Sequence, residues 1–139
     1  MEINNKVRAV YYCRGLVRVW LYSRVANGEC HFIDALADQR RRMDAYTSKN
    51  RWTVVGGSFD IGPELDSVRP GLEKLKEVVS HRKVDVVLAC NANRFFRPSD
   101  KLLSFWTYLQ DNGVMLYSVD EGQIDMGLYV TIEKALAHS

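Results

Sequence analysis

A continuous apolar run in the second half of the chain, Val84–Leu88, constrains the fold more than any other stretch. Apart from Asp85 its residues are all apolar, without the alternation of a strand that has one face in water. A strand covered on both faces is typical of a parallel sheet between helical layers. Arg94 and Arg97 follow this strand, at the edge where parallel α/β sheets bind their ligands.

Strand-like and helix-like segments alternate along the chain. Val17–Tyr22 predicts the first core strand, and a helix with Asp34 as its N-cap is expected to run to about Asn50. Trp52–Val55 predicts a second strand that ends at Gly56-Gly57, before a turn-rich loop. The remaining predicted elements are a helix opened by Pro70, the strand Val84–Leu88, a helix opened by Pro98 and Ser99, a strand Val114–Val119 and a helix Met126–Ala137.

This alternation predicts an α/β fold, a three-layer arrangement in which a largely parallel sheet is flanked by helices. The length of 139 residues fits one domain. The upstream run Arg8–Cys13 is also β-rich. It either forms a hairpin with Val17–Tyr22 or makes residues 1–16 an extension or extra strand ahead of the core.

Composition excludes several classes of protein. The net charge of +2 is mild, and the one dense positive cluster, Arg40-Arg41-Arg42, is expected to be a solvated helix face. Three cysteines without a CxxC spacing and three scattered histidines indicate neither a disulfide framework nor a metal site. No GxGxxG or GxxxxGK[ST] motif occurs, so no cofactor is expected. No apolar run approaches the ~18 residues of a membrane span. A reducing cytoplasm is the expected location.

Polar groups follow three of the predicted strands, which places them on one edge of a parallel sheet. They are Arg24, Asp60, and Asn93-Arg94 with Arg97, and Arg69 can join them from a loop. Converging guanidiniums repel one another unless an anion lies between them, and a phosphodiester is the natural candidate. The alternative is that each arginine pairs singly with a carboxylate, namely one of Asp60, Glu64, Asp66 and Asp100.

Several segments in order resemble the serine recombinases (resolvases and invertases). VDVVLACNANRFFR (Val84–Arg97) is similar to the typical VDVVLVKKLDRLSR, and YSRVA (Tyr22–Ala26) resembles the first-strand motif YxRVS. RPGLEKL (Arg69–Leu75) and DNGVMLYSVDEGQID (Asp111–Asp125) also resemble family segments. The resemblance implies the N-terminal catalytic domain of that family, in which a serine hydroxyl attacks DNA and arginines stabilise the transferring phosphate.

By this resemblance Arg24, Arg69, Arg94 and Arg97 fall on active-site arginines, and Gln39 falls on a glutamine that supports the nucleophile. The nucleophile position is Ala26, which has no hydroxyl. Asn93 stands at the aspartate of the motif, and Glu64 at a loop serine. A second register, with Leu16 at the serine position, also lacks a hydroxyl. Ser23 is expected to face away from Arg24, because side chains alternate along a strand.

The resemblance therefore predicts a domain associated with DNA strand exchange but deficient in cleavage. The family's C-terminal DNA-binding region is not found in these residues, so DNA is expected to bind weakly, and a homodimer or higher assembly is expected of a full-length protein. Two alternatives stay open. One is a flavodoxin-like domain that binds a small molecule or phosphate. The other is a non-catalytic assembly module whose apolar surface includes the aromatic residues Trp20, Phe95, Phe96, Trp106 and Tyr129.

Overall fold

A five-stranded sheet forms the centre of the molecule. The computed structural model describes residues 16–25, 31–62, 69–96 and 100–137. The strands are β1 (Arg18–Val25), β2 (Thr53–Ile61), β3 (Val86–Ala89), β4 (Met115–Ser118) and β5 (Gly122–Gln123), and their order in the sheet is β2-β1-β3-β4-β5. The first four are parallel and β5 is antiparallel to β4, which confirms a largely parallel α/β sheet.

Helices cover both faces of this sheet. Within the described residues they are α1 (Phe32–Asn50), α2 (Pro70–Ser80), α3 (Asp100–Asp111) and α4 (Gly127–Ala137), and a 3₁₀ turn spans Ala92–Arg94. Met43 of α1 packs on Leu21 and Leu88 on one face. Leu75 of α2 and Leu109 of α3 pack with Tyr22 and Val87 on the other. None of the described helices is long and apolar enough to span a membrane.

The second strand is longer than its sequence predicts. It continues through the glycines to Ile61, so Phe59 and Asp60 lie in β2 and not in a loop. Pairing with β1 overrides the low strand propensity of glycine, since Gly57 lies opposite Leu21 and Asp60 opposite Arg24. Gly56 also has a packing role, because a Cβ there would lie 2.4 Å from a ring carbon of Trp20.

Other boundaries differ in smaller ways. The first helix begins at Phe32 with His31 as N-cap, and Asp34 lies in its first turn, where a negative charge complements the helix dipole. The strand β5 was not predicted, because two residues carry no periodicity. Pro98, Ser99 and the run Arg8–Cys13 lie outside the described residues.

Two packing expectations are wrong. The spacing of Leu128 and Ile132 predicts that they pack inward from the last helix, but Leu128 is 74% exposed and Ile132 is 50% exposed. The proposed aromatic association surface is largely core: Trp20 and Phe95 are buried, and Phe96 and Trp106 pack against the same core. Aromatic side chains of this size contribute most when they are removed from water, which explains their position.

Candidate functional site

The side chain of Arg24 joins three parts of the chain at the carboxyl edge of the sheet. Its Nη1 donates to the carbonyl of Gly62 at 2.7 Å, beyond the end of β2. Its Nε and Nη2 donate to the carbonyls of Arg94 and Asn93, both at 3.3 Å, in the 3₁₀ turn that follows β3. Arg24 is buried, so these three carbonyls replace water around its guanidinium.

Arg69 binds the same turn from the other side. It precedes α2, is only 5% exposed, and donates from Nη2 to the carbonyl of Arg94 at 2.8 Å. Its Nη1 donates to the carbonyl of Phe95, and its guanidinium carbon lies 4.9 Å from the ring centroid of Phe96. Arg24 and Arg69 therefore converge on consecutive carbonyls, and together they fix the position of the turn.

A buried tyrosine and a buried aspartate complete the network. The hydroxyl of Tyr22 donates to Asp60 Oδ2 at 2.6 Å and accepts from Arg69 Nη2 at 2.7 Å. Asp60 also accepts from the backbone N–H groups of Gly71 and Leu72, at 2.7 and 2.9 Å. These N–H groups belong to the first turn of α2, so the carboxylate caps that helix from a neighbouring strand.

Burial and the hydrogen bond to Asp60 raise the pKa of Tyr22 well above the ordinary tyrosine value, although Arg69 opposes the shift. The phenol is therefore neutral at physiological pH. It acts as a donor to Asp60 and an acceptor from Arg69, and this arrangement orders the two charged groups on either side of it.

Gln39 holds the end of β1 from helix α1. Its amide nitrogen donates to the carbonyl of Arg24 at 3.0 Å, and its amide oxygen accepts from the N–H of Arg24 at 3.3 Å. Arg94 Nη1 donates to the same carbonyl at 2.9 Å. Gln39 is buried, so this two-bond pairing with the main chain fixes the backbone immediately before Ala26.

Three guanidiniums gather here, and the described residues supply both carbonyl oxygens and one carboxylate around them. The carbonyls are those of the 3₁₀ turn and Gly62, and Asp60 Oδ2 lies 3.9 Å from Arg69 Nε, which is one of the pairings expected from the sequence. Two other carboxylates of that expectation, Glu64 and Asp66, lie outside the described residues. Arg94 is half-buried, whereas Arg24 and Arg69 are buried.

Glu121 was not identified from the sequence. Its Oε1 accepts from the N–H of Ala92 at 3.0 Å, at the start of the 3₁₀ turn, and its own N–H donates to Ser118 Oγ at 2.9 Å. The carboxylate therefore links the β4–β5 turn to the turn that carries Arg94. The sequence DEG at residues 120–122 predicts a turn, and an acidic residue in such a turn often binds main-chain N–H groups. This feature could have indicated the role of Glu121.

The remaining candidate residues fall in different places. Ala26, Arg97 and Glu64 lie outside the described residues. Asn93 has an exposed side chain and contributes its carbonyl to the cluster. Leu16 precedes β1 at the opposite edge of the sheet, so the structure rules out the register that puts Leu16 at the nucleophile position.

Hydroxyl and thiol groups near the cluster have other roles. Ser58 Oγ donates to the carbonyl of Gly71 at 2.7 Å and accepts from Trp20 Nε1. Ser23 lines a cleft against α1, on the face opposite Tyr22. Burial raises the pKa of the Cys90 thiol, which keeps it in the less reactive protonated form. The described residues contain no cluster of three or more His, Cys, Asp or Glu able to share a metal ion.

Comparison with known proteins agrees with this geometry. The family profile described as the N-terminal domain of resolvase matches residues 19–137. A resolvase family site-specific recombinase from Streptococcus pneumoniae is 29% identical, with 88% of this chain and 86% of that chain covered and a TM-score of 0.71. The C-terminal catalytic domain of ISC1926 TnpA, an IS607-like serine recombinase, is 28% identical over 74% of this chain and 70% of its own, with a TM-score of 0.68.

A third solved structure supports the fold. The N-terminal catalytic domain of TP901-1 integrase has a TM-score of 0.70 and 23% identity, with 87% of this chain and 94% of that chain covered. No curated protein matches this chain. The family match extends over nearly the whole chain, and the sheet order and the arginine motifs lie within it. This chain therefore belongs to the serine recombinase (resolvase/invertase) family and corresponds to its N-terminal domain.

Proposed function

We propose that this domain takes part in DNA strand-exchange assemblies and contacts DNA phosphate but does not cleave DNA. The observation that carries the proposal is the convergence of Arg24, Arg69 and Arg94 on one turn at the carboxyl edge of the sheet. Ala26 directly follows β1 in the sequence, and the resemblance of YSRVA to YxRVS assigns it to the family's nucleophile position. A methyl group cannot form the covalent bond to phosphorus on which this type of cleavage depends.

No nearby hydroxyl among the described residues is well placed to substitute. Ser58 is bound between Trp20 and the start of α2, and Ser23 faces the other helical layer. The hydroxyl of Tyr22 is committed to Asp60, and its raised pKa disfavours the phenolate that an attack would need. These contacts support a domain that retains charge at the site without an attacking group.

The arginines divide into two roles in this proposal. Arg24 and Arg69 are buried and hold the 3₁₀ turn in place, so they position other groups. Arg94 is half-buried, and Arg97 follows it three residues later in the sequence, so these two are assigned the contact with phosphate. Asn93 takes the place of a family aspartate, which removes one negative charge beside the incoming phosphate and favours anion binding.

The absence of cleavage is tested with supercoiled DNA that carries recombination sites. The wild-type chain should give no covalent protein–DNA adduct after denaturation. Ala26→Ser alone should give at most a trace, because Asn93 and Glu64 still differ from the family pattern, and Ala26→Ser combined with Asn93→Asp should give more. Adducts formed by the wild-type chain would show that another residue attacks and would contradict the proposal.

The phosphate contact is tested by the salt dependence of binding to duplex DNA. Arg94→Ala and Arg97→Ala should each lower affinity and reduce the slope of log K against log salt by about 1, as expected when one phosphate contact is lost. Arg41→Ala is the matched control, since Arg41 lies on an exposed helix face and bonds to Asp38. Equal slopes for the wild type and the three variants would contradict the assignment of Arg94 and Arg97 to the phosphate contact.

The assembly role is proposed for a longer protein that contains this domain. Two or more copies would bring two such arginine clusters to a pair of DNA strands, and an inactive copy would then supply structure and charge beside an active relative. Mixing this domain with an active family member and measuring recombination would test this role. A rate that does not respond to the added domain would count against it.

A further inference from the structure

The exposed basic side chains of α1 and α2 fall into two groups. The first group lies within the helices, and each member forms an ion pair with a carboxylate; it consists of Arg40, Arg41, Arg42, Lys74 and Lys76. The second group lies at and just beyond the C-terminal ends of the two helices and consists of Lys49, Arg51, Arg82 and Lys83. All four are exposed, and no carboxylate in the part of the chain that the structure describes pairs with them.

The sheet order brings the second group together at one edge. Arg51 comes two residues before β2, Lys83 comes three residues before β3, and β1 lies between these two strands. Neighbouring strands are about 4.8 Å apart, so the first residues of β2 and β3 lie about 10 Å apart. Because the three strands are parallel, all of them begin at this edge, which is opposite the edge that carries Arg24 and Arg94. We call Lys49, Arg51, Arg82 and Lys83 the amino-edge patch.

The two turns that carry the patch are built alike. Arg51 and Arg82 have φ angles of 58° and 56°, in the left-handed region where glycine is the usual residue. The N–H of Arg51 donates to the carbonyl of Ser48 at 3.2 Å, and the N–H of Arg82 donates to the carbonyl of Val79 at 3.0 Å. Glycine would close both turns with less strain. Turn geometry therefore does not account for an arginine at either position, which leaves the exposed charge as its contribution.

The local charges leave this edge positive. The C-terminal end of each helix carries about half a negative charge, so the two helix ends offset about one of the four cations. Asp85, the carboxylate that precedes β3, is bound to Arg18 through two hydrogen bonds from the guanidinium, at 3.0 and 3.1 Å. The whole chain has a net charge of only +2. Positive charge is therefore concentrated at this edge beyond what the composition indicates.

The composition of the two turns indicates the kind of partner. Their sequences are SKNR at residues 48–51 and SHRK at residues 80–83, and all eight residues are polar and exposed. A protein interface has an apolar core with few lysines, whereas a surface that binds nucleic acid is polar and positively charged. Duplex DNA carries one negative charge per ~1.7 Å of its axis, so about six phosphate charges fit into the distance between the two turns.

We propose that the amino-edge patch is a second binding site for duplex DNA and contacts its sugar–phosphate backbone. The proposed function assigns DNA to the carboxyl edge alone, and this site lies on the opposite edge of the sheet. The two edges face in opposite directions, so one short duplex cannot contact both. A single domain then holds two duplexes, one at each edge. Contacts to phosphate position a duplex without reading its bases, so binding at this edge is independent of sequence.

The salt dependence of binding to duplex DNA tests the proposal. A fourfold variant removes the charge of the patch and consists of Arg51→Gly, Arg82→Gly, Lys49→Gln and Lys83→Gln. Glycine adopts the left-handed backbone without strain, so both turns should keep their form. The slope of log K against log salt should decrease in magnitude by about 3–4, at about 0.9 for each phosphate contact. The changes in either turn alone should give about half of this decrease.

The matched control removes four exposed cations that already pair with carboxylates, and consists of Arg40→Gln, Arg41→Gln, Lys74→Gln and Lys76→Gln. It changes the net charge by the same amount as the fourfold variant, so the comparison isolates the position of the charge. The control should keep most of the wild-type slope.

Stoichiometry separates this site from the carboxyl edge. With a duplex of about ten base pairs, which is one helical turn, the wild type should bind two duplexes per chain and the fourfold variant one. Arg94→Ala tests the proposed function independently, and its effect on the slope should add to that of the fourfold variant. An unchanged slope in the fourfold variant would overturn the proposal and leave the patch to an acidic protein surface. An equal decrease in the matched control would also overturn it, because net charge alone would then govern binding.

Discussion

Arg24 and Arg94 each donate a hydrogen bond to the backbone carbonyl of the other. Arg24 Nε donates to the carbonyl of Arg94 at 3.3 Å, and Arg94 Nη1 donates to the carbonyl of Arg24 at 2.9 Å. The two residues are 70 positions apart in the sequence, so this exchange fixes the end of β1 against the turn after β3. Both arginines thus have a structural role in addition to any contact with phosphate.

Replacement of Arg24 should destabilise the fold. Arg24→Ala leaves carbonyls of Gly62, Asn93 and Arg94 without this donor, and we expect the free energy of unfolding to fall by about 2–4 kcal/mol. Arg24→Lys should recover less than half of the loss, because an ammonium cannot span the three acceptors. Urea unfolding measures both values.

Arg40→Ala is the control for Arg24→Ala. Arg40 lies on the exposed face of α1 and pairs with Asp44, so its removal should cost under about 0.5 kcal/mol. If Arg24→Ala lowered the free energy of unfolding no more than Arg40→Ala, the hydrogen bonds between Arg24 and the 3₁₀ turn would not stabilise the fold.

Tyr22 should make stability depend on pH at the alkaline end. Burial and the bond to Asp60 raise its pKa in the folded state, whereas the unfolded phenol loses its proton near pH 10. The folded state therefore holds more protons above pH 10, and the free energy of unfolding should decrease as the pH rises from there. Below pH 10 this contribution is fully present.

Tyr22→Phe should cost about 1–3 kcal/mol at neutral pH, because Asp60 and Arg69 lose a buried partner. Its free energy of unfolding should also decrease less steeply above pH 10 than that of the wild type. Tyr46→Phe, on the other side of the sheet, is the comparison. Parallel alkaline profiles for wild type and Tyr22→Phe would contradict the assignment.

Glu121 should set the position of the turn that carries Arg94. Glu121→Ala removes the acceptor for the N–H of Ala92, so we expect a loss of about 1 kcal/mol in stability and a decrease in DNA affinity. Glu121→Gln keeps an oxygen acceptor and should retain most of both. Thermal unfolding and DNA titration at fixed salt separate the two effects, and an unchanged affinity in Glu121→Ala would limit Glu121 to a stabilising role.

Gly71 should tolerate no side chain. A Cβ at this position would lie 2.3 Å from the carbonyl oxygen of Phe59, so helix α2 could not approach β2 as it does. Gly71→Ala should lower the free energy of unfolding by more than about 2 kcal/mol, despite the better helix propensity of alanine. Lys74→Ala, at an exposed position of the same helix, should change it by under about 0.5 kcal/mol. Denaturant midpoints compare the two.

Much of the fold could be predicted because burial leaves a clear mark in the sequence. Val86–Ala89 is buried on both faces, and this gives the unbroken apolar run that predicts a parallel sheet. The carboxyl-edge position of Arg24 and Arg94 follows from that topology alone. The extension of β2 to Ile61 could not be predicted, because it depends on its pairing with β1 and on the space that Gly56 leaves for Trp20.

The hydrogen-bond partners of the arginines in the cluster could not be predicted for a similar reason. Arg24 and Arg69 bind main-chain carbonyls of a 3₁₀ turn, and a carbonyl exists at every residue, so the sequence does not mark these acceptors. Carboxylates are visible in the sequence, and Asp60 is therefore among the arginine partners that the sequence predicts. The cap that Glu121 provides for Ala92 was missed because it depends on the fold of two separate turns.

The burial of Arg24 and Arg69 means that the presence of these two arginines is not diagnostic of catalysis in this chain. Both hold main-chain carbonyls of the 3₁₀ turn, so the folded state requires them whether or not a strand is cut. An arginine signature alone therefore reports architecture.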